Sequence, residues 1–271
     1  MSAVFGHIEA SGGLRDPSSA MHIYDRTYYD YINGGAIRSA EHVLPAVQQH
    51  FDIRSVLDFG AGQGAWLSVW RRLGVKDVMG IDGAYVERSA LLVRREEFLA
   101  ADLGQEIRHG RTFDLVQSLE VAEHLPASRA DVFVDNLVAH GSLVLFSAAA
   151  PGQGGEHHVN ERPYAYWRDM FAARGFLMLD VIRAAVASNR AVERWYRYNS
   201  FIFIAEARFG SLPPELRLLQ APVSGAVEDV SPLAYRVRKA LIKPLPVAAA
   251  TTLATLKKHW YTRRGLTVRH G

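Results

Sequence analysis

The sequence predicts a doubly wound α/β domain: a mostly parallel sheet with helices on both faces and an antiparallel C-terminal edge. Three observations carry this. Short apolar runs alternate with segments of helical spacing, the rhythm of strand–crossover–strand units. Glycines cluster where the first strand turns into a helix (Gly60, Gly62, Gly64). Two last apolar runs, 176–182 and 200–208, lie close enough in the chain to pair antiparallel.

Taken in order, residues 1 to about 20 are small and polar and read as a mobile arm. Helical spacing runs from Tyr24 to about Gln49, broken at Asn33-Gly34-Gly35. Ser55 to Phe59 is the first strand, and Ala65 to Leu73 is the helix after the glycines. Val78 to Asp82 is the second strand, followed by a helix to Arg95. Strands are expected again over Phe98–Leu103, Phe113–Leu119 and Ser142–Ser147. Tyr164 to Arg174 has amphipathic helical spacing, stopped by Gly175. The expected organisation is an arm with lid helices at 1–50, a central domain at 51–210 and a basic extension at 211–271.

Composition narrows the classes. With 271 residues, one α/β domain with extra segments can bury a full core. The absence of cysteine excludes disulfides and thiolate metal sites. No secretory signal and no membrane span is legible, so a cytoplasmic protein is expected. The net charge of +3 hides an asymmetry. Residues 230–271 carry nine Lys and Arg and no Asp or Glu, which leaves 22 basic against 28 acidic residues elsewhere, a net of −6.

The glycine run Gly60-Ala61-Gly62-Gln63-Gly64 lets backbone bend tightly and approach a ligand closely. Its neighbours say which ligand. Dinucleotide sites want G-x-G-x-x-G around a pyrophosphate. Here Asp58 precedes the glycines, suited to an ammonium group and hostile to phosphate. Asp82 ends the next strand, where a carboxylate accepts both hydroxyls of a ribose. Asp102-Leu103 ends the third, where an adenine edge would sit.

From Tyr24 to Arg208 the chain resembles the class I S-adenosylmethionine-dependent methyltransferases, a Rossmann-like family. The resemblance implies S-adenosylmethionine as cofactor, with Asp58, Gly60, Gly62 and Gly64 around the methionine part, Asp82 on ribose and Asp102 near adenine. Leu103 and Ser118 are assigned to the same site.

The next strand leads into Glu120-Val121-Ala122-Glu123-His124. If a helical turn starts there, residues 120, 123 and 124 share a face. Carboxylates and an imidazole so crowded invite a divalent cation; the bland alternative is a helix start with solvated side chains. A later loop, Pro151 to Gly155, runs into Glu156-His157-His158 and reaches the same edge of the sheet. The pattern is similar to metal-dependent small-RNA 2′-O-methyltransferases, and its first half to ubiquinone-biosynthesis O-methyltransferases. That likeness implies Glu120, Glu123, His124 and His158 as ligands of Mg²⁺ or Mn²⁺. His157 can replace His158, and whichever is not a ligand is the candidate catalytic base.

Tyr164, Tyr166, Trp167, Trp195, Tyr196 and Tyr198, with Arg190, Arg194 and Arg197, read as a sugar or aromatic platform or as ordinary packing. A loose likeness to methyltransferases of glycan and natural-product biosynthesis favours a sugar-like acceptor. The tyrosines at 24, 28, 29 and 31 form a lid or a packed helix. The basic extension is read first as packing on the acidic body or as an oligomer contact, and second as a peripheral contact with the inner membrane face.

The expected function is O-methylation of a sugar or other diol-bearing small molecule, assisted by a divalent cation. The alternatives are RNA 2′-O-methylation, though no RNA-binding module is legible, a metal-independent natural-product methyltransferase with a histidine base, and a non-catalytic S-adenosylmethionine-binding partner subunit.

Overall fold

The structure is a computed structural model that describes the backbone of residues 26–263 and the side chains of residues 33–256. The expected N-terminal arm, the tyrosine side chains of the lid and the basic side chains from Lys257 onward lie outside the described residues.

The first strand, β1 (Ser55–Phe59), pairs in parallel with β2 (Asp77–Asp82) on one side and with β4 (Leu115–Leu119) on the other. Beyond β2 lies β3 (Phe98–Ala100), and beyond β4 lies β5 (Leu143–Ser147), all parallel. The edge is antiparallel: β7 (Phe201–Ala205) pairs with β5, and β6 (Phe176–Leu179) pairs with β7. The order is therefore β3-β2-β1-β4-β5-β7-β6, the doubly wound sheet that the sequence predicts. The strand order reverses between β1 and β4, so ligands belong at the C-terminal ends of those strands.

The strands read as continuous apolar runs because both faces of the sheet are covered. Successive residues go to opposite cores: Leu143 and Leu145 to one, Val144 and Phe146 to the other. The first core is closed by α1 (Arg26–Gln48), α2 (Ala65–Arg72) and α5 (Val181–Val186). The second is closed by α3 (Ala130–Ala139) and α4 (Tyr164–Ala172), with Phe171 stacked on Phe203 at 3.9 Å. Each fully buried Leu, Ile or Phe contributes about 1.5–3 kcal/mol, so the two cores together fix the sheet.

Several boundaries differ from the sequence reading. The helix α1 runs unbroken through Asn33-Gly34-Gly35. Glycine there serves close approach, since a Cβ on Gly35 would lie 3.0 Å from Glu193 Oε1. The helix expected before Arg95 is only two short 3₁₀ turns, Arg88–Ala90 and Arg95–Glu97. The run 176–182 ends as a strand at Leu179 and continues into α5; the aromatic and basic residues before the last strand form a helix, α6 (Arg194–Asn199).

After β7 come the short helices α7 (Glu206–Phe209) and α8 (Pro214–Arg217), then α9 (Leu233–Ile242) and α10 (Val247–Arg263). Two buried arginines bind the intervening chain to the body. Arg168 Nη1 donates to the carbonyls of Pro222 and Gly225 at 2.9 and 2.8 Å, and Arg183 Nη1 to that of Glu228 at 2.7 Å. No described helix is long and apolar enough to cross a membrane.

Candidate active site

The glycine loop joins β1 to α2 with all three glycines at positive φ: Gly60 at 84°, Gly62 at 53° and Gly64 at 86°. A Cβ on Gly60 would come within 2.3 Å of Val121 Cγ2, so the loop presses against the turn that follows β4. At Gly62 no described atom lies within 4 Å of such a Cβ, which leaves that side of the loop accessible to a ligand. From α1, Asn33 Nδ2 donates to Gln63 Oε1 at 2.7 Å and ties the helix to the loop.

The carboxylates here are held by their own chain. Asp82 Oδ2 accepts from the Gly62 N–H at 2.7 Å, and Oδ1 from the Gly83 N–H at 2.6 Å and the Tyr85 hydroxyl at 2.5 Å. Burial raises the Asp82 carboxyl, and those bonds pull it back. Asp58 is buried and accepts from Gln117 Nε2 at 2.8 Å; the Gln117 Oε1 in turn accepts from Trp70 Nε1 at 2.8 Å. Burial pushes the Asp58 carboxyl up to about 7, with the Gln117 bond opposing and the Asp82 charge reinforcing the shift. Asp102, exposed, accepts from the Gly104 N–H at 2.9 Å. Leu103 is buried in the second core. Ser118 is fully buried, and its hydroxyl has no hydrogen-bond partner among the described residues.

Beyond β4 the arrangement changes. Glu123, His124 and His158 come together with one donor atom each, all within 4.8 Å of one another. Glu123 has no exposed surface, and neither of its oxygens has a hydrogen bond of good geometry among the described residues; the backbone N–H groups of Glu123 and Ala149 are near enough to lower its carboxyl a little. Burial and the Glu120 charge hold its carboxyl well above the usual carboxylate range. His124 is exposed, yet the protein crowding its ring and then the neighbouring His158 push its imidazole down. The two rings meet edge to face at 4.9 Å.

His158 is aimed by Glu161, whose Oε1 lies 2.9 Å from Nδ1. The same carboxylate accepts the Gly152 and Gly154 N–H groups, both at 2.7 Å, and so folds the glycine-rich loop around itself. Burial alone would raise Glu161, but the bonds from His158, Gly152 and Gly154 win and lower it. Gly155 makes room for the ring: a Cβ there would lie 2.1 Å from His158 Nε2. His157 is exposed, at φ 59°, and stands outside the cluster.

Glu120 is not brought into the cluster. It sits at φ 58°, before a 3₁₀ turn over Ala122–His124, so the helical spacing that would align it with Glu123 and His124 does not form. Its Oε2 instead accepts from Gln153 Nε2 at 2.5 Å, and Gln153 Oε1 from Asn199 Nδ2 at 2.6 Å. Glu161, Gln153 and Asn199 were not singled out in the sequence. Only the spacing of His158 and Glu161 offers a local signal; Asn199 reaches the site through tertiary structure alone.

Residues 33–201 match the family model described as a methyltransferase domain. The chain belongs to that family. It is a class I S-adenosylmethionine-dependent methyltransferase, in agreement with the sheet order, the glycine loop and the acidic strand ends. Among solved structures, the sugar N-methyltransferase KedS8 from Streptoalloteichus shares the fold at 17% identity and a TM-score of 0.51, over 74% of this chain and 99% of that one. DesVI from Streptomyces venezuelae does so at 14% identity and 0.50, over 66% and 95%. No curated protein matches the sequence.

Proposed function

We propose that this methyltransferase moves the methyl group to a hydroxyl of a sugar or other diol-bearing small molecule, assisted by a divalent cation. The observation that carries this reading is the buried Glu123 carboxylate, whose two oxygens have no hydrogen-bond partner of good geometry among the described residues, close to two imidazoles. A buried carboxylate without a partner is costly, and a cation removes that cost. One carboxylate and two imidazoles leave positions for acceptor oxygens on a divalent cation, and with only one oxygen donor among them they suit a transition ion such as Mn²⁺ better than Mg²⁺. A cation bound there would supply Lewis acidity to the acceptor hydroxyl.

The chain's own groups do the rest. Glu161 engages His158 Nδ1 and leaves Nε2 as the donor atom. Asp82 and the glycine loop position the cofactor so that its methyl carbon faces the acceptor. The acceptor oxygen forms a bond to that carbon while the carbon–sulfur bond breaks. The bonding pair stays on the sulfur of S-adenosylhomocysteine, and the hydroxyl proton passes to His157, outside the ligand set.

The test is transfer of labelled methyl from S-adenosylmethionine to a panel of vicinal-diol sugars, amino sugars and short RNA, with and without a chelator. Label on diol sugars that chelation abolishes and Mg²⁺ or Mn²⁺ restores is the expected result. Chelator-insensitive label on amino sugars would overturn it in favour of N-methylation, and label on RNA alone would overturn the sugar acceptor.

A further inference from the structure

The helix α9 is oriented against the usual rule that a helix buries its apolar face and turns its charges to water. Its buried side chains are Tyr235 and Lys239. Lys239 pairs with Asp229, and Arg238 Nη1 donates to the Gln153 carbonyl at 2.9 Å. The backbone of Lys239 packs against Gly152, where a Cβ would lie 2.0 Å from its carbonyl oxygen. The outward face carries Leu233, Val237 and Leu241 at i, i+4 and i+8, 68, 50 and 70% exposed. Leu245, Val247, Leu253 and Leu256 continue exposed apolar surface through the connection and α10.

The register is fixed. Rotating α9 to hide its leucines would break the Lys239–Asp229 pair and the Arg238 bond, and would drive a side chain into Gly152. Arg236 and Lys243 are exposed beside the apolar row, and residues 230–271 contain no Asp or Glu. We propose that this face docks peripherally on an anionic lipid surface, the aliphatic row entering the headgroup–acyl boundary and the basic side chains meeting the headgroups. Charge selects this occupant. A second copy would present an equally positive face and be repelled. A nucleic acid would meet the charges but gains nothing from a row of aliphatic side chains.

The experiment is co-sedimentation of the full chain with vesicles of phosphatidylcholine mixed with phosphatidylglycerol, against phosphatidylcholine alone. Wild type should pellet with the anionic vesicles, and high salt should weaken this. Val237→Glu combined with Leu241→Glu should reduce binding by about tenfold or more, with thermal unfolding and S-adenosylhomocysteine affinity unchanged. Arg236→Gln with Lys243→Gln, which leaves every apolar contact in place, should reduce it as well, so the proposal does not depend on the first variant folding. Equal binding to both vesicle types, or retention by both variants, would overturn the proposal. So would sedimentation velocity showing that the two glutamate substitutions split a dimer, or single-stranded RNA binding that those substitutions leave intact.

Discussion

The two halves of the ligand-binding edge treat their carboxylates in opposite ways. On the cofactor side, Asp58, Asp82 and Asp102 each accept hydrogen bonds from their own chain, from Gln117, from the Gly62, Gly83 and Tyr85 donors, and from Gly104. On the acceptor side, Glu123 is buried with none among the described residues, while Glu161 takes three. The carboxylates of the first half are held in place by their own chain, as the proposed reading of a preorganised cofactor seat requires. The second half is built around a buried carboxyl that no described residue engages in a hydrogen bond of good geometry.

Five substitutions sharpen this contrast. The largest effect is expected from His158→Ala, which removes a proposed cation ligand and should lower turnover by more than the roughly 10–100-fold that loss of a ligand's supporting partner costs, while leaving S-adenosylhomocysteine affinity unchanged. A parallel loss of affinity would show that the halves are not separate. Next is Gly60→Ala, which combines a left-handed φ with a Cβ 2.3 Å from Val121 and should cost about 3 kcal/mol by denaturant unfolding. Gly62→Ala, with φ of the same sign but no described atom nearby, should cost about 1 kcal/mol and act mainly on cofactor affinity. Equal costs at the two glycines would refute the close approach of the loop to Val121.

Glu161→Gln removes the charge that orients His158 and should weaken cation binding about 10–100-fold, measured by calorimetry, with cofactor binding intact. The smallest effect concerns pH. The folded Asp58 carboxyl, near 7, lies above its ordinary value of 3.8, so the folded state favours the protonated form. Its ionisation therefore subtracts stability as pH rises from about 4 to 7, and restores it on acidification. The cofactor's ammonium favours the ionised form, so affinity should rise several-fold between pH 6 and 8 and then level off. Asp58→Asn should flatten that profile; an unchanged profile would remove Asp58 from the methionine site.

The same contrast explains what the sequence made legible. The cofactor half is written in consecutive residues: an apolar strand, three glycines and an acid at the next strand end each leave a local pattern. The fold class, a mostly parallel sheet with an antiparallel edge, followed from apolar runs that are continuous because both faces are buried. The acceptor half is assembled from segments around residues 120, 153–161, 199 and 238, and its partnerships have no sequence period. Glu120 shows the failure most clearly. Its spacing to Glu123 and His124 is that of a helix face, yet the backbone turns through a left-handed residue and aims the side chain at Gln153. The uninterrupted α1 is a second case, because the tertiary packing of Gly35 against Glu193 outweighs the local helix-breaking tendency of Gly34-Gly35.

The central claim is that the unbonded Glu123 carboxylate is one side of a cation site. Titration of Mg²⁺ and Mn²⁺ into the protein saturated with S-adenosylhomocysteine, beside Glu123→Ala, tests it most directly. The account predicts saturable binding to wild type and its loss in the variant, with cofactor affinity the same in both. Absence of binding to the cofactor-saturated wild type, or equal binding to the variant, would contradict it and leave a methyltransferase that works through a histidine base alone.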